Sequence, residues 1–432
     1  MTIAPVFPPV EEADKGLSAL ARGVIGSEIL RIASEIRALK AKGAAICNLT
    51  VGDFDPAFFP IPAELLEGTR AALADGHTNY PPSDGVLPLR EAVVRLYERE
   101  LGLRYPIDSV LVAGGARPLL YGSYRTLLDP GDIAVYPVPS WNNNHYAYLS
   151  GARAIEIPVR ADENFFPTAE ELRPHLEEAR MLCLNSPLNP TGTAIDRDEL
   201  RRIAQLVVEV NERRKAAGAR PLYFVFDQVY WNLTFHGIVH ETPVALVPEV
   251  APYTLLLDAV SKSLCATGMR VGWGVMPPAI RKRMADILGH VGAWAPKAEQ
   301  MAVAALLDAP EKIRAFQTTM KTHVKERLDA LYDGIIAMKR EGLPVDTIVP
   351  QGAIYLSAQF NLLGRTAFGQ ELRTNDDIRR LLLNQAGLAV VPFQAFGLKG
   401  DTGWFRLSVG AVSMPDIQQG LVRLRETILA AR

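Results

Sequence analysis

The sequence predicts an α/β protein in which a mostly parallel β-sheet carries helices on both faces and is joined to a smaller α+β domain. Two observations lead to this prediction. Short apolar runs alternate with amphipathic helical patterns between residues 110 and 275, and charged helices with a different set of strands follow Met276. Strand–helix–strand repetition is typical of parallel sheets, because parallel neighbours need a long crossover connection, usually a helix.

Length and composition agree with a two-domain globular protein. The 432 residues exceed the size at which a single core usually stops growing, and 48% hydrophobic with 22% charged side chains is an average composition. The 46 basic and 48 acidic side chains nearly cancel, so we expect neither nucleic acid nor anionic lipid as a partner. No apolar run is long enough to span a membrane, and the first residues show no secretory signal.

The 3 cysteines, Cys47, Cys183 and Cys265, stand far apart in apolar surroundings. They form neither a CxxC pair nor another metal-ligand spacing, so we expect buried free thiols and no metal site. Free thiols fit a reducing compartment, and the sequence therefore predicts a cytoplasmic protein.

The amino-terminal region contains one predicted helix. Residues 1–16 are rich in Pro and Glu without periodicity, which predicts an arm or a loop. The helix that follows has Ser27 as its predicted N-cap and Gly43 after its end. Its apolar face consists of Ile29, Ile32, Ala33, Ile36 and Leu39.

The central runs are almost wholly apolar, which predicts strands that are covered on both faces. They are residues 110–113, 133–136, 181–184, 222–226, 253–257 and 271–275, with a helix at 199–216. After Met276 we predict helices within 311–341 and strands at 354–359, 388–392 and 404–409. We expect a large domain at residues 61–305, and a small domain formed by residues 306–432 together with residues 1–60, which include the amino-terminal arm.

Polar residues follow several of these strands, and open parallel sheets bind ligands at the carboxyl ends of their strands. Residues 114–117, Gly-Gly-Ala-Arg, open a helix whose free N–H groups suit a phosphate; a plain tight turn is the alternative. Trp141 follows prolines and offers a stacking surface for a planar ligand, or else packs at the edge of the core. Segment 185–192, Asn-Ser-Pro-Leu-Asn-Pro-Thr-Gly, has more Pro and Asn than an ordinary turn needs.

Charged side chains follow two further strands. Asp227 ends an apolar run, where a carboxylate needs a partner; a helix cap or a salt bridge is the plain alternative. Lys262 follows the next run and suits a desolvated nucleophile, although a single lysine is more often a solvated surface charge. Because these residues follow strands of one predicted sheet, we expect them to converge on one site.

Four motifs in this order resemble those of the pyridoxal 5'-phosphate (PLP) dependent aminotransferases of fold type I, the aspartate aminotransferase family. The resemblance extends from about residue 22 to residue 430. The motifs are Asn189-Pro190-Thr191-Gly192, Asp227-x-x-Tyr230, Ser261-Lys262 followed by Gly268-x-Arg270-x-Gly272, and Phe405-Arg406-Leu407-Ser408. The resemblance implies a mostly parallel, seven-stranded PLP-binding large domain sandwiched by helices, together with a smaller α+β domain.

The resemblance also implies residue roles that agree with the chemistry of each side chain. Lys262 would hold the PLP aldehyde as a Schiff base and later move the substrate proton. Asp227 would pair with the pyridine nitrogen, while Tyr230 and Asn189 would hydrogen-bond the ring oxygen. Arg270 would hold the phosphate. The remaining expected cofactor contacts are Gly115, Ala116, Arg117, Trp141 and Ser261.

Three more residues match positions that bind substrate or cross a subunit interface. Arg406 matches the arginine that binds the substrate α-carboxylate in a bidentate fork. Gly52 matches a glycine that lies over the substrate, and Tyr80 matches a tyrosine that reaches the cofactor phosphate of the neighbouring subunit. Either of the last two can also be a plain turn residue. The resemblance therefore implies a homodimer with amino acids and 2-oxo acids as substrates.

The chain departs from the family pattern at two places. Ala259 stands where a phosphate-binding Ser is common. Either Ser261 or Ser263 replaces that serine, or the phosphate is held by one hydrogen bond fewer. Residues 289–300 contain no arginine of the kind that selects dicarboxylic substrates; Trp294 and Lys297 are the candidates there. We therefore expect a neutral, aromatic or basic amino acid rather than strict selectivity for aspartate.

Amino-group transfer is the leading functional hypothesis. The main alternative is another PLP reaction on the same fold, such as that of a β-lyase, an elimination synthase or a cyclase, because these share Lys262, Asp227 and Arg270. A regulator fused to a DNA-binding head is disfavoured by the roughly twenty residues before the resemblance begins, which are too few for a helix-turn-helix. A catalytically dead binding protein is disfavoured because the lysine, the aspartate and both arginines are present.

Overall fold

The computed structural model describes residues 7–10, 14–26 and 28–431. The buried strands of the main sheet are largely apolar, whereas short strands elsewhere include polar pairs such as Gln370–Glu371. The described residues form fifteen strands. They are β1 (Cys47–Asn48), β2 (Val110–Ala113), β3 (Ile133–Val138), β4 (Arg153–Pro158), β5 (Met181–Asn185), β6 (Tyr223–Asp227), β7 (Thr254–Ala259), β8 (Gly272–Val275), β9 (Val345–Thr347), β10 (Tyr355–Phe360), β11 (Thr366–Ala367), β12 (Gln370–Glu371), β13 (Leu388–Ala389), β14 (Val391–Pro392) and β15 (Trp404–Ser408).

Amphipathic helices alternate with these strands. They are α1 (Ala19–Gly23), α2 (Glu28–Ala41), α3 (Ala63–Ala74), α4 (Leu87–Leu101), α5 (Ala116–Leu127), α6 (Asn143–Ser150), α7 (Ala169–Leu176), α8 (Arg197–Ala216), α9 (Pro243–Leu246), α10 (Val260–Ser263), α11 (Pro278–His290), α12 (Lys297–Leu307), α13 (Pro310–Arg340), α14 (Asn375–Ala386) and α15 (Met414–Leu429). Short 3-10 turns lie at Ile107–Ser109, Ala161–Glu163, Pro248–Tyr253, Thr267–Met269 and Phe393–Phe396.

The main sheet has seven strands in the order β2-β8-β7-β6-β5-β3-β4. Neighbours from β7 through β4 are parallel, whereas β8 runs antiparallel to both β2 and β7. Helices α5, α6 and α11 cover one face of the sheet through an apolar cluster that includes Leu119 and Met284. Helices α4, α7, α8 and α12 cover the other face. The predicted mostly parallel, two-sided sheet is thus confirmed.

The carboxy-terminal part forms a second, antiparallel sheet in the order β14-β15-β10-β9. A separate apolar cluster packs α13, α14 and α15 against it. Strand β1 pairs with β13, so the chain around residue 47 lies with these carboxy-terminal elements. We propose that residues 61–305 are the large domain and that residues 1–60 and 306–432 form the small one; the two separate sheets support this division.

Several sequence predictions need correction. Strand β4 was not predicted, because it is a partly exposed edge strand and not an apolar run. Residues 388–392 form two strands with different partners, β13 on β1 and β14 on β15. Ser27, the predicted cap of α2, lies outside the described residues, and so does part of the predicted arm. Across the described residues, each helix lacks either the length or the apolar run that crossing a bilayer requires.

Candidate active site

A cavity of about 540 Å³ opens at the carboxyl edge of the main sheet. Most of the predicted site residues line it: Gly52, Ala116, Arg117, Trp141, Asn189, Asp227, Tyr230, Ser261, Lys262, Arg270 and Arg406. Residues that follow β2, β3, β5, β6 and β7 meet there because those strands end at one edge of the sheet. Arg270 precedes β8, and the reversed direction of β8 brings it to the same edge.

Asp227 is a buried carboxylate at the last position of β6. Its side chain is 8% exposed and accepts a hydrogen bond from the backbone N–H of Val229 at 3.1 Å. Burial raises the pKa of this carboxyl group to about 6. No cationic side chain forms an ion pair with it among the described residues, so its charge is left for a ligand to neutralise.

Lys262 lies in the short helix α10 after β7. Its side-chain amine donates to the carbonyl oxygen of Gly52 at 2.6 Å. Burial lowers the pKa of the amine to about 8, while Asp53 opposes that shift and Arg406 adds to it. At pH 7 about a tenth of the amine is therefore unprotonated, far more than for a lysine with the ordinary pKa of 10.5, and the neutral form is the one that a nucleophile requires.

Two arginines and a helix start form a positively charged corner of the cavity. Arg270 donates to the carbonyl oxygens of Thr267 and Gly114, each at 2.7 Å. Partial burial and the neighbouring Arg117 lower the pKa of its guanidinium. Gly115, the residue before α5, has a φ of 94°, and a Cβ there would lie 2.5 Å from Arg270 Nη2. The glycine thus lets the arginine approach the free N–H groups of α5.

The two serines that flank Lys262 have different surroundings. Ser261 is buried and lines the main cavity. Ser263 donates to the carbonyl oxygen of Ala259 at 3.3 Å and lines a separate, smaller cavity. Of the two serines considered as replacements for the one missing at Ala259, Ser261 is therefore the one that lines the main cavity.

Arg406 is a buried arginine on β15. It is 1% exposed and lies between the rings of Tyr355 and Phe396, with its guanidinium carbon 4.7 Å and 4.8 Å from the ring centroids. Its terminal nitrogens donate to Asn189 Oδ1 at 3.1 Å and to the Thr50 carbonyl at 2.7 Å. Its buried Nε has no hydrogen-bond partner among the described residues. A carboxylate would satisfy that donor.

Aromatic and hydroxyl groups complete the wall. The Tyr230 and Tyr355 hydroxyls form a hydrogen bond of 2.7 Å. Trp141 lies beside Arg117, whose guanidinium carbon is 5.5 Å from the indole centroid. Asn189 accepts from Arg406 through Oδ1, so its side-chain nitrogen remains a potential donor.

Tyr80 does not line this cavity. It is 80% exposed, and its ring packs edge to face on Trp294 at 5.1 Å between centroids. Lys297 donates to Asn79 Oδ1 at 2.6 Å beside it. These residues line another groove on the same chain. The structure therefore brings Tyr80, Trp294 and Lys297 together with one another, and places them apart from Lys262.

The cavity residues that sequence reasoning missed include three polar ones with hydrogen bonds inside the site: Asp53, Thr267 and Tyr355. Asp53 accepts a hydrogen bond of 2.6 Å from the Thr267 hydroxyl. The position of Asp53 beside Gly52 and of Thr267 between Lys262 and Arg270 could have singled them out. Nothing in the sequence distinguishes Tyr355 from an ordinary core tyrosine.

Known proteins resemble this chain over nearly all of its length. The family model "Aminotransferase class I and II" matches residues 44–424. An aspartate aminotransferase of Rhizobium meliloti (strain 1021) is 30% identical over 92% of each chain, and one of Geobacillus stearothermophilus is 30% identical over 92% of this chain and 95% of its own. The crystal structure of the aspartate aminotransferase from Rhizobium meliloti covers 96% of this chain and 99% of its own, at 27% identity and a TM-score of 0.87.

These similarities are consistent with the chemistry of the cavity. A probable aspartate/prephenate aminotransferase of Thermus aquaticus is also 30% identical, over 89% of this chain and 93% of its own. The names favour amino-group transfer over the lyase, synthase or cyclase alternatives. This chain belongs to the class I and II aminotransferases, PLP-dependent enzymes that transfer an amino group between amino acids and 2-oxo acids.

Proposed function

We propose that the cavity around Lys262 binds PLP and is the catalytic site for amino-group transfer. The observation that carries this proposal is that Lys262 and Asp227 line one cavity together with Arg406. PLP, when bound, supplies an aldehyde that reacts with amines and a ring that withdraws electrons from the substrate α-carbon.

The donors and acceptors present fit this cofactor. The buried Asp227 carboxylate lacks an ion-pair partner among the described residues and suits a protonated ring nitrogen. A phosphate suits the positive corner formed by Arg270, Arg117 and the start of α5. Gly115 has no side chain, which leaves room for the guanidinium of Arg270 beside the start of α5. Ser261 is the hydroxyl that we assign to the phosphate in place of the missing serine. Trp141 is assigned to the ring face, because it lines the same cavity.

The residues around the ring oxygen form a connected set. Tyr230 is hydrogen-bonded to Tyr355, and Asn189 is hydrogen-bonded to Arg406. We assign Tyr230 and the side-chain nitrogen of Asn189 to the ring oxygen. Because Asn189 also contacts Arg406, a hydrogen bond directly connects the residues proposed for the cofactor with the residue proposed for the substrate.

Lys262 has two proposed tasks. It holds the cofactor covalently, and, once an amino acid has displaced it, its amine moves the proton at the substrate α-carbon. The pKa of about 8 suits both accepting and returning a proton near neutral pH. The Gly52 carbonyl accepts from this amine and orients it.

Arg406 is proposed to bind the substrate α-carboxylate. Its Nε is unsatisfied among the described residues, and the two flanking rings fix the plane of the guanidinium. We propose a neutral, aromatic or basic amino donor, because residues 289–300 lack an arginine. L-aspartate, for which several relatives are named, is the competing donor. A panel of L-amino acids assayed against 2-oxoglutarate and pyruvate decides between them.

The homodimer and the cytoplasmic location are also proposals. Exposed Tyr80, together with Trp294 and Lys297, lines a groove away from its own cavity, which supports a role for Tyr80 at the site of a second subunit. The free thiols Cys47, Cys183 and Cys265 are all buried and support a reducing compartment.

The reaction is tested by adding one amino acid alone to the purified protein. Amino-group transfer predicts stoichiometric conversion of the bound cofactor to its amine form, reversed by a 2-oxo acid. Catalytic release of ammonia or a thiol without a 2-oxo acid would instead indicate a lyase.

A further inference from the structure

A short segment of the amino-terminal region touches several of the proposed functional residues. We call residues 50–53 the Gly52 segment. Its carbonyl groups accept from three side chains: Thr50 from Arg406 at 2.7 Å, Val51 from Ser408 at 2.6 Å and Gly52 from Lys262 at 2.6 Å. The segment therefore supplies backbone carbonyl acceptors to both Lys262 and Arg406.

On one side, the Gly52 segment is fixed to β15 and the turn after it. The Ser408 backbone N–H donates to the Leu49 carbonyl at 2.8 Å. The turn packs so closely that a Cβ on Gly410 would lie 2.1 Å from the Asp53 carbonyl oxygen. These contacts tie the segment to the strand that carries Arg406.

On the other side, the segment faces residues 260–270, which we call the lysine loop. Among the described residues, two hydrogen bonds join them: Lys262 to the Gly52 carbonyl, and the Thr267 hydroxyl to Asp53 Oδ1 at 2.6 Å. The first uses the amine that reacts, so it is not available in every state of the enzyme. The second uses no reacting atom and can persist throughout the cycle.

Thr267 connects Asp53 to Arg270 through two hydrogen bonds. The Thr267 carbonyl accepts from Arg270 Nη1 at 2.7 Å, while its hydroxyl donates to Asp53. Arg270 has a φ of 55°, a left-handed conformation that a non-glycine residue keeps only when its surroundings hold it. Asp53, Thr267 and Arg270 therefore form one connected chain.

We propose that Asp53 is a positioning residue for the transfer reaction. Through Thr267 it holds the Gly52 segment against the lysine loop. This contact fixes the position of the carbonyl acceptors of Lys262 and Arg406 relative to the guanidinium of Arg270. This proposal rests on the functions proposed above for Lys262, Arg270 and Arg406.

The test uses two disruptive and two conservative variants. Asp53→Ala and Thr267→Val each remove the hydrogen bond, whereas Asp53→Asn and Thr267→Ser keep an acceptor and a donor. The disruptive variants should each raise the KM for the amino donor and the dissociation constant of PLP by about tenfold, as expected for a lost hydrogen bond to a charged group, with a smaller change in kcat. The conservative variants should recover most of both losses.

Non-additivity separates a link from two independent effects. Asp53 Oδ1 also accepts from the backbone N–H of Phe54 at 2.8 Å, so Asp53→Ala removes one contact more than Thr267→Val. The double variant Asp53→Ala/Thr267→Val should be no worse than Asp53→Ala alone, because both changes remove the same link to the lysine loop. Losses that multiply in the double variant would overturn the proposal. So would equal losses in Asp53→Asn and Asp53→Ala.

Hydrogen exchange on the cofactor-free protein gives a readout that does not depend on activity. Backbone amides of residues 50–55 should exchange faster in Asp53→Ala and Thr267→Val than in the unaltered protein. Asp55→Asn is the matched control, because Asp55 contacts its own turn at Ala57 and not the lysine loop. If the unaltered protein has transfer activity and the variants show unchanged exchange, the positioning role is overturned. If the variants exchange faster but the unaltered protein has no transfer activity, the proposed function is contradicted instead.

Discussion

The amine of Lys262 donates to the carbonyl oxygen of Gly52 at 2.6 Å, across 210 positions of sequence. This contact brings the nucleophile of the large sheet to the segment that also accepts from Arg406. The proposed sites for cofactor and for substrate α-carboxylate are thereby coupled through one stretch of backbone.

The pKa of Lys262 predicts how the cofactor-free protein captures PLP. Burial lowers this pKa from 10.5 to about 8, and only the neutral amine attacks an aldehyde. The capture rate, followed by visible absorbance, should therefore rise with pH and level off above a midpoint near 8. A rate that continues to rise towards pH 10 would contradict a buried nucleophile.

Asp227 predicts a pH-dependent cost to the stability of the cofactor-free protein. Its folded-state pKa of about 6 lies above the ordinary 3.8, so its contribution to stability is greatest below pH 4 and is lost as the pH rises through 6. The cost at pH 7.5 is about 2–3 kcal/mol. In urea unfolding, the free energy of unfolding should fall less between pH 4.5 and 7.5 for Asp227→Asn than for the unaltered protein. Bound PLP should offset the cost of the buried carboxylate in the unaltered protein. Identical pH profiles for the variant and the unaltered protein would contradict this assignment.

Arg406→Lys should weaken substrate binding without displacing the cofactor. Lysine keeps the charge but loses the planar fork, so kcat/KM for the amino acid should fall roughly a hundredfold. The visible absorbance of the bound cofactor should remain. An amine donor without an α-carboxylate is the matched control, since its slow reaction should be affected little. An equal loss with both donors would place Arg406 outside carboxylate binding.

Mixed dimers test whether Tyr80 serves the neighbouring site. Chains with Lys262→Ala and chains with Tyr80→Ala should both have low activity as pure dimers. If Tyr80 acts across the interface, each mixed dimer contains one site with Lys262 from one chain and Tyr80 from the other, so mixing should restore activity. No recovery, with mixed dimers demonstrated by native mass spectrometry, would show that Tyr80 acts within its own subunit or not at all.

Asp227 and Lys262 were predictable because each stands where an apolar strand ends. Asp227 directly ends β6, and Lys262 comes three residues after β7. Parallel strands end at one edge of a sheet, so their convergence followed from the fold class. Arg270 was found by its motif, because an apolar run such as β8 does not reveal its own direction.

The missed features depend on contacts between distant segments. Asp53 and Thr267 are 214 positions apart, and neither stands at the end of a strand in the main sheet. Tyr355 becomes part of the site only because β10 pairs with β15, which carries Arg406. Strand β4 lies at the sheet edge with exposed residues, so it lacks the apolar run that marked its neighbours. Composition and periodicity do not carry such pairwise information.

The most direct test of the central claim is to locate the covalent bond to PLP. The holoenzyme is reduced with borohydride and digested, and the labelled peptide is identified by mass spectrometry. We predict one pyridoxyl group per chain, on Lys262, and none in the Lys262→Ala variant. A label on another lysine, or an unlabelled Lys262 in protein that has bound PLP, would contradict the claim that this residue is the nucleophile of the transfer reaction.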